Sequence, residues 1–103
     1  MTLPKHRPPT HPGTMLLEEF LTPLELSQAE AARRLKMPLN RLNELIKGKR
    51  GITPDTALRL AELFKVSAAF WMGLQASWDL WHAMQRRKGR GEAGSIRPIS
   101  KAS

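Results

Sequence analysis

The stretch from Ser27 to Arg50, SQAEAARRLKMPLNRLNELIKGKR, decides how this chain folds. Ser27 is a capping residue, and Glu30 three positions on makes a capping box. Ala29, Ala32 and Leu35 give the helix that follows a small-residue face, against which a neighbour packs closely. Lys36 and Met37 interrupt it. Pro38 begins the next helix, where a missing N–H costs nothing. Leu42, Leu45 and Ile46 then fall at i, i+3 and i+4, and Gly48 supplies the stop. Two short helices joined by three or four residues define a helix-turn-helix, in which the second helix enters the major groove of DNA and the first lies across the backbone.

With Leu42, Leu45 and Ile46 turned inward, Leu39, Asn40, Arg41, Asn43 and Glu44 are left on or near the outer side. Asn and Arg make paired hydrogen bonds to base edges, Asn to adenine and Arg to guanine, while Pro38 and Leu39 can touch a thymine methyl. Gln28, in the first turn of the leading helix, can donate to a phosphate where the helix dipole also favours an anion. Arg33, Arg34, Lys36, Arg41, Lys47, Lys49 and Arg50 are cations within eighteen residues, with Glu44 the one acid among them. Lys47, Lys49 and Arg50 sit on the turn leaving the second helix, where they can grip a backbone flanking the groove. The candidate DNA-binding set is therefore Gln28, Pro38, Leu39, Asn40, Arg41, Asn43, Lys47, Lys49 and Arg50.

Working outward, the body of the chain reads as helices. Thr14 is the expected cap of a first helix with Met15, Leu16, Phe20 and Leu21 on its apolar side, stopped by Pro23. Thr53-Pro54-Asp55 starts a fourth with a hydroxyl cap, Pro at the first position and an acid near the positive end of the dipole. Ala57, Leu58, Leu60, Ala61 and Phe64 form its apolar side. Ser67 caps a fifth and longest helix to about Gln85, on which Phe70, Leu74, Trp78 and Trp81 recur at helical spacing while Trp71 and Met72 widen the stripe. Core packing is the expected fate of Trp71; for Trp78 and Trp81, core and interface both stay open. The sequence predicts an all-α, five-helix, repressor-like helix-turn-helix domain over residues 14–85, ending in a dimerisation helix. A Pro-rich arm (1–13) precedes it and a flexible basic tail (86–103) follows.

From Pro12 to Gln85 the chain resembles HigA-type antitoxins of the phage-repressor-like (Xre) helix-turn-helix family. The resemblance is carried by His11-Pro12-Gly13, by Leu26 to Leu35, by Pro38-Leu39-Asn40-Arg41 and by Gly48 to Ala61. It continues in Phe70-Trp71, Leu74-Gln75 and Asp79-Leu80-Trp81. It implies a homodimer that binds a palindromic operator, represses its own operon and neutralises a HigB-type toxin, a ribosome-dependent mRNA endonuclease of the RelE fold. Two positions depart from the pattern: Lys36 stands where the family often has Gly in the turn, and the basic tail lies outside it. The same residues also suit a stand-alone repressor without a toxin, or a protein-sequestering module without operator specificity.

Composition narrows the classes further. The 103 residues hold 17 Lys and Arg against nine Asp and Glu, a formal charge of +8, which attracts polyanions. Without Cys, thiol nucleophiles and thiolate zinc sites are excluded. With no Tyr and 6% aromatics, a platform for stacking exposed bases is not expected. His6, His11 and His82 lack the close spacing of a zinc motif. Glu18 and Glu19, adjacent on a helix, point about 100° apart and do not converge on a substrate; they read as a solvated face or a contact for a basic partner. No apolar run approaches the ~18 residues of a membrane span. The expectation is a cytoplasmic, non-enzymatic protein with no metal and no cofactor.

Overall fold

The computed structural model describes residues 7–100. Five helices follow one another: α1 (Pro12–Leu16, running on as a π turn over Leu17–Leu21), α2 (Gln28–Leu35), α3 (Leu39–Ile46), α4 (Pro54–Phe64) and α5 (Ala68–Gly89). Among the described residues there is no strand. The all-α expectation is met.

The hydroxyls of Ser27, Thr53 and Ser67 cap α2, α4 and α5 as their sequences predict, accepting from the N–H of Glu30, Thr56 and Phe70. The capping box of α2 is half made, because the Glu30 carboxylate turns forward to Arg33 and Arg34. Three boundaries move. His11, not Thr14, caps α1: its Nδ1 accepts the Gly13 N–H at 2.9 Å, with Pro12 in the first turn. Burial holds the His11 ring below its ordinary pKa and His82 adds to this, against the opposing pull of Asp79. A neutral ring is the form that can accept that bond. Pro38 is the cap of α3 rather than its first residue, since its fixed φ of −61° is combined with an extended ψ of 141°. At the other end, α5 continues to Gly89, so Arg86, Arg87 and Lys88 are helical and lie in its last turn, where the dipole favours cations.

The π turn explains how α1 reaches the core twice. A residue is added to the turn, marked by the Thr22 N–H bonding to the Leu17 carbonyl at 2.9 Å. That brings Leu16 and Leu21, five apart, onto one buried face. They join Ala31, Ala32, Leu35, Met37, Leu42, Leu45, Ile52, Ala57, Leu60 and Trp71 in the core. Trp71 is fully buried as expected, with the rings of Phe20 and Phe70 about it at 5.1 and 5.2 Å. Three apolar stripes differ in part from the sequence reading. On α2 the buried alanines are Ala31 and Ala32 while Ala29 is exposed; on α4 Leu58 is 59% exposed and Thr56 is buried in its stead. On α5 the inner line runs through Trp71 and Gln75, leaving Phe70 at the edge. Ala32 and Leu35 on α2 and Ala57 and Leu60 on α4 are buried as their spacing predicts, and only on α5 is the inner line displaced by one position.

Gly13 fixes where α1 crosses α3. A Cβ there would overlap the Leu45 carbonyl and stand 2.9 Å from the Ile46 Cα, so backbone meets backbone. This contact seats the last turn of α3. Gly13→Ala is expected to lower unfolding free energy by about 3 kcal/mol, since neither helix backbone can yield locally. Urea unfolding followed by circular dichroism measures it; a loss under ~0.5 kcal/mol would show that α1 does not lie on α3.

Candidate nucleic-acid interface

The turn between α2 and α3 is closed by backbone bonds. Lys36 sits in the left-handed region (φ 56°, ψ 46°). Its N–H bonds to the Arg33 carbonyl and that of Met37 to the Ala32 carbonyl, the paired closure that usually places glycine at this position. Arg59 reaches across from α4 and donates through Nη1 to the carbonyls of Leu35 (3.0 Å) and Lys36 (2.6 Å). Asp55, one turn back on α4, holds the Arg59 guanidinium at 2.8 Å. The lysine-containing turn is thus kept in its conformation by a side chain from another helix.

On α3, Leu42 and Leu45 are buried, and Leu39, Asn40 and Arg41 are exposed at the N-terminal end. Pro38 offers no side-chain cap, so the first amides of α3 open on the same side as these three residues. Asn43 lies apart from them. It is half-buried, and its Nδ2 donates to Oε1 of Gln28 at 3.1 Å, tying α3 to the first turn of α2. The bond uses the Gln28 oxygen and leaves its amide donors for another acceptor. Glu30 keeps Arg33 and Arg34 folded along α2, and their hydrogen bonds, Arg33 first, pull its carboxyl down to about 2.

After Ile46 the chain leaves α3 through a second closure of the same kind: the Gly48 N–H (φ 77°) bonds to Leu45 and the Lys49 N–H to Glu44. Lys47, Lys49 and Arg50 are exposed on this exit loop, and Arg50 lies 3.5 Å from the Glu44 carboxylate. Beyond it Ile52 plunges into the core, and its N–H donates to Oε1 of buried Gln75 at 2.6 Å. Gln75 Nε2 in turn donates to Asp79 at 2.9 Å.

The fold therefore places Pro38, Leu39, Asn40 and Arg41 together at the tip of α3. Gln28 lies beside the root of that helix, and Lys47, Lys49 and Arg50 at its exit. Arg59 and Gln75 hold the two turns flanking α3, a role that the sequence does not assign to either. The signal for Arg59 was its i, i+4 relation to Asp55; for Gln75 it was one amide in an apolar stripe. Among the described residues no three His, Asp or Glu side chains gather as metal ligands, and His6 lies outside them. Nor, among those residues, is any helix long and apolar enough to cross a membrane.

The sequence pattern of the helix-turn-helix family matches residues 17–71, which span α2, α3 and α4. A curated relative, an uncharacterized HTH-type transcriptional regulator of Escherichia coli K12 called YbaQ, is 38% identical over 94 residues, covering 91% of this chain and 83% of its own. The Pseudomonas aeruginosa antitoxin HigA, solved with the higBA promoter, superposes with a TM-score of 0.82 at 38% identity, covering 89% of this chain and 99% of that one. A further Pseudomonas aeruginosa protein, solved in complex with its 18-bp operator DNA, gives a TM-score of 0.84 at 37% identity, with 94% and 100% covered. The chain belongs to the phage-repressor-like helix-turn-helix family, and HigA antitoxins are among its structural neighbours.

Lys36→Gly is expected to raise stability by about 0.5–1 kcal/mol, because glycine adopts the left-handed geometry without a Cβ clash. Thermal unfolding reads this out; a loss of stability would contradict the backbone strain assigned to Lys36.

Proposed function

We propose that this protein is a sequence-specific DNA-binding antitoxin that represses its own operon and neutralises a HigB/RelE-like mRNA endonuclease. The observation that carries the DNA half is the exposed Leu39-Asn40-Arg41 tip of α3, flanked by the exit-loop cations. Solved relatives with promoter or operator DNA support it. In the mechanism, Gln28, Lys47, Lys49 and Arg50 anchor phosphates and set the register, while Pro38, Leu39, Asn40 and Arg41 meet base edges. Asn43 braces Gln28 from behind, its side-chain carbonyl left as the group that can meet DNA. Neutralisation of a toxin rests on the likeness to HigA.

The protein acts as a homodimer on a palindromic operator, with half-sites about 34 Å apart matching two α3 helices. The far half of α5 is the proposed interface, since Leu80 and Met84, one turn apart, are about half exposed there beside half-buried Trp81. Residues 14–85 form the DNA-binding and dimerising unit. The exposed cations Arg90 and Arg97 beyond α5 add non-specific affinity for DNA. The work is done in the cytoplasm and includes no catalysis. A second reading, a stand-alone repressor, is favoured by the similarity to YbaQ; a small basic reading frame beside the gene separates the two.

With ~6 phosphate contacts per dimer, operator affinity is expected to fall on the order of 10³-fold between 50 and 200 mM salt. Asn40→Ala and Arg41→Ala are each expected to cost roughly 1–3 kcal/mol and to blur preference at one base pair, whereas Lys49→Ala weakens all duplexes alike. Fluorescence anisotropy with the upstream promoter and a scrambled duplex measures all three. Equal losses on both duplexes for every variant would refute the base-reading assignment.

A further inference from the structure

We infer that Gln75 is a positioning residue for DNA phosphate binding: from the core of the protein it sets where Lys49 and Arg50 stand on the exit loop of α3. The inference rests on the DNA-binding reading above and extends it to a residue with no route to the DNA itself.

The exit loop is pinned at both ends. On the near side the Gly48 and Lys49 amides close onto α3. On the far side Ile52 is buried and its N–H bonds to the Gln75 carboxamide oxygen. Between the anchored Lys49 and Ile52 lie only Arg50 and Gly51, too short a span to choose its own path. The middle of that path is also set by Gln75, because a Cβ on Gly51 would stand 2.9 Å from the carboxamide. The loop backbone therefore rests directly on this side chain. Asp79 accepts from the other end of the amide, which fixes its flip and points the oxygen at Ile52.

The chemistry requires an amide here. An apolar side chain of equal length would fill the space and leave the buried Ile52 N–H without its acceptor. A carboxylate alone would face Asp79. Only a group that accepts from Ile52 and donates to Asp79 keeps the loop seated, so the α5 pair reaches the phosphate grip through two hydrogen bonds. Asn40 and Arg41 are held by α3 itself and do not depend on it.

The test measures operator binding by fluorescence anisotropy across a series of salt concentrations, with duplex from the upstream promoter. The proteins are the full chain, Gln75→Met, Gly51→Ala, and the double variant Gln75→Glu/Asp79→Asn. Gln75→Met is expected to shallow the slope of log K against log[salt] by about 2, one phosphate contact per protomer. Affinity between 50 and 200 mM salt then becomes about ten-fold less salt-sensitive. Single-base-pair changes in the duplex lower the affinity of Gln75→Met and wild type by the same factor. Gly51→Ala shallows the slope in the same way, and keeps the test open if Gln75→Met does not fold. The double variant, which exchanges donor and acceptor, restores the wild-type slope. A wild-type slope in both Gln75→Met and Gly51→Ala overturns the assignment while leaving the DNA-binding reading intact. A wild-type protein that shows no salt-dependent binding overturns both.

Discussion

Everything that a DNA reader needs here depends on the placement of one eight-residue helix, and that placement begins with a backbone-to-backbone contact. Gly13 lies against the Leu45 carbonyl with no room for a side chain. Because two backbones meet, the distance between α1 and α3 is set by atoms that cannot change rotamer. The interiors of proteins transmit such constraints well, being packed as densely as organic crystals. Leu42 and Leu45 then lock the inner face, and the outer face is left to polar chemistry.

Around that contact, three polar ties hold the rest of the motif. Asn43 joins the root of α3 to the start of α2, Arg59 clasps the turn before it, and Gln75 supports the turn after it. Each spends a hydrogen-bonding group inside the fold that a surface census of charge would not count. The arrangement separates two tasks. Residues proposed to touch DNA occupy the exposed tip and exit loop, while the side chains that hold the flanking turns lie one layer behind. Lys36 shows the separation at work: its left-handed backbone, uncomfortable for lysine, is tolerated because Arg59 satisfies the carbonyls on either side of it.

Much of this could be read from the sequence, and what could not has identifiable causes. Ser27, Thr53 and Ser67 announced three helix starts because a capping hydroxyl is a local signal, complete within four residues. Leu42 and Leu45 announced the inner face of α3 because a short helix with few apolar residues leaves one choice. Thr14 misled because a hydroxyl before an apolar run looks like a cap, whereas a histidine ring bonding two residues forward is rarely considered. Leu58 and Phe70 misled because α4 and α5 each carry apolar residues on adjoining positions. Which of them goes inward is decided by the helix they meet. The role of Gln75 was hidden for a related reason: its partner, the Ile52 N–H, is 23 residues away and carries no side-chain mark.

The most direct test of the central claim is an NMR titration of the ¹⁵N-labelled full chain with duplex DNA from its upstream promoter. The Asn40 side-chain amide and the backbone amides of Leu39 to Arg41 are expected to shift first, with those of Gln28 and Lys47 to Arg50. Signals that stay still along α3 while those of Arg86 to Arg97 move would contradict that claim.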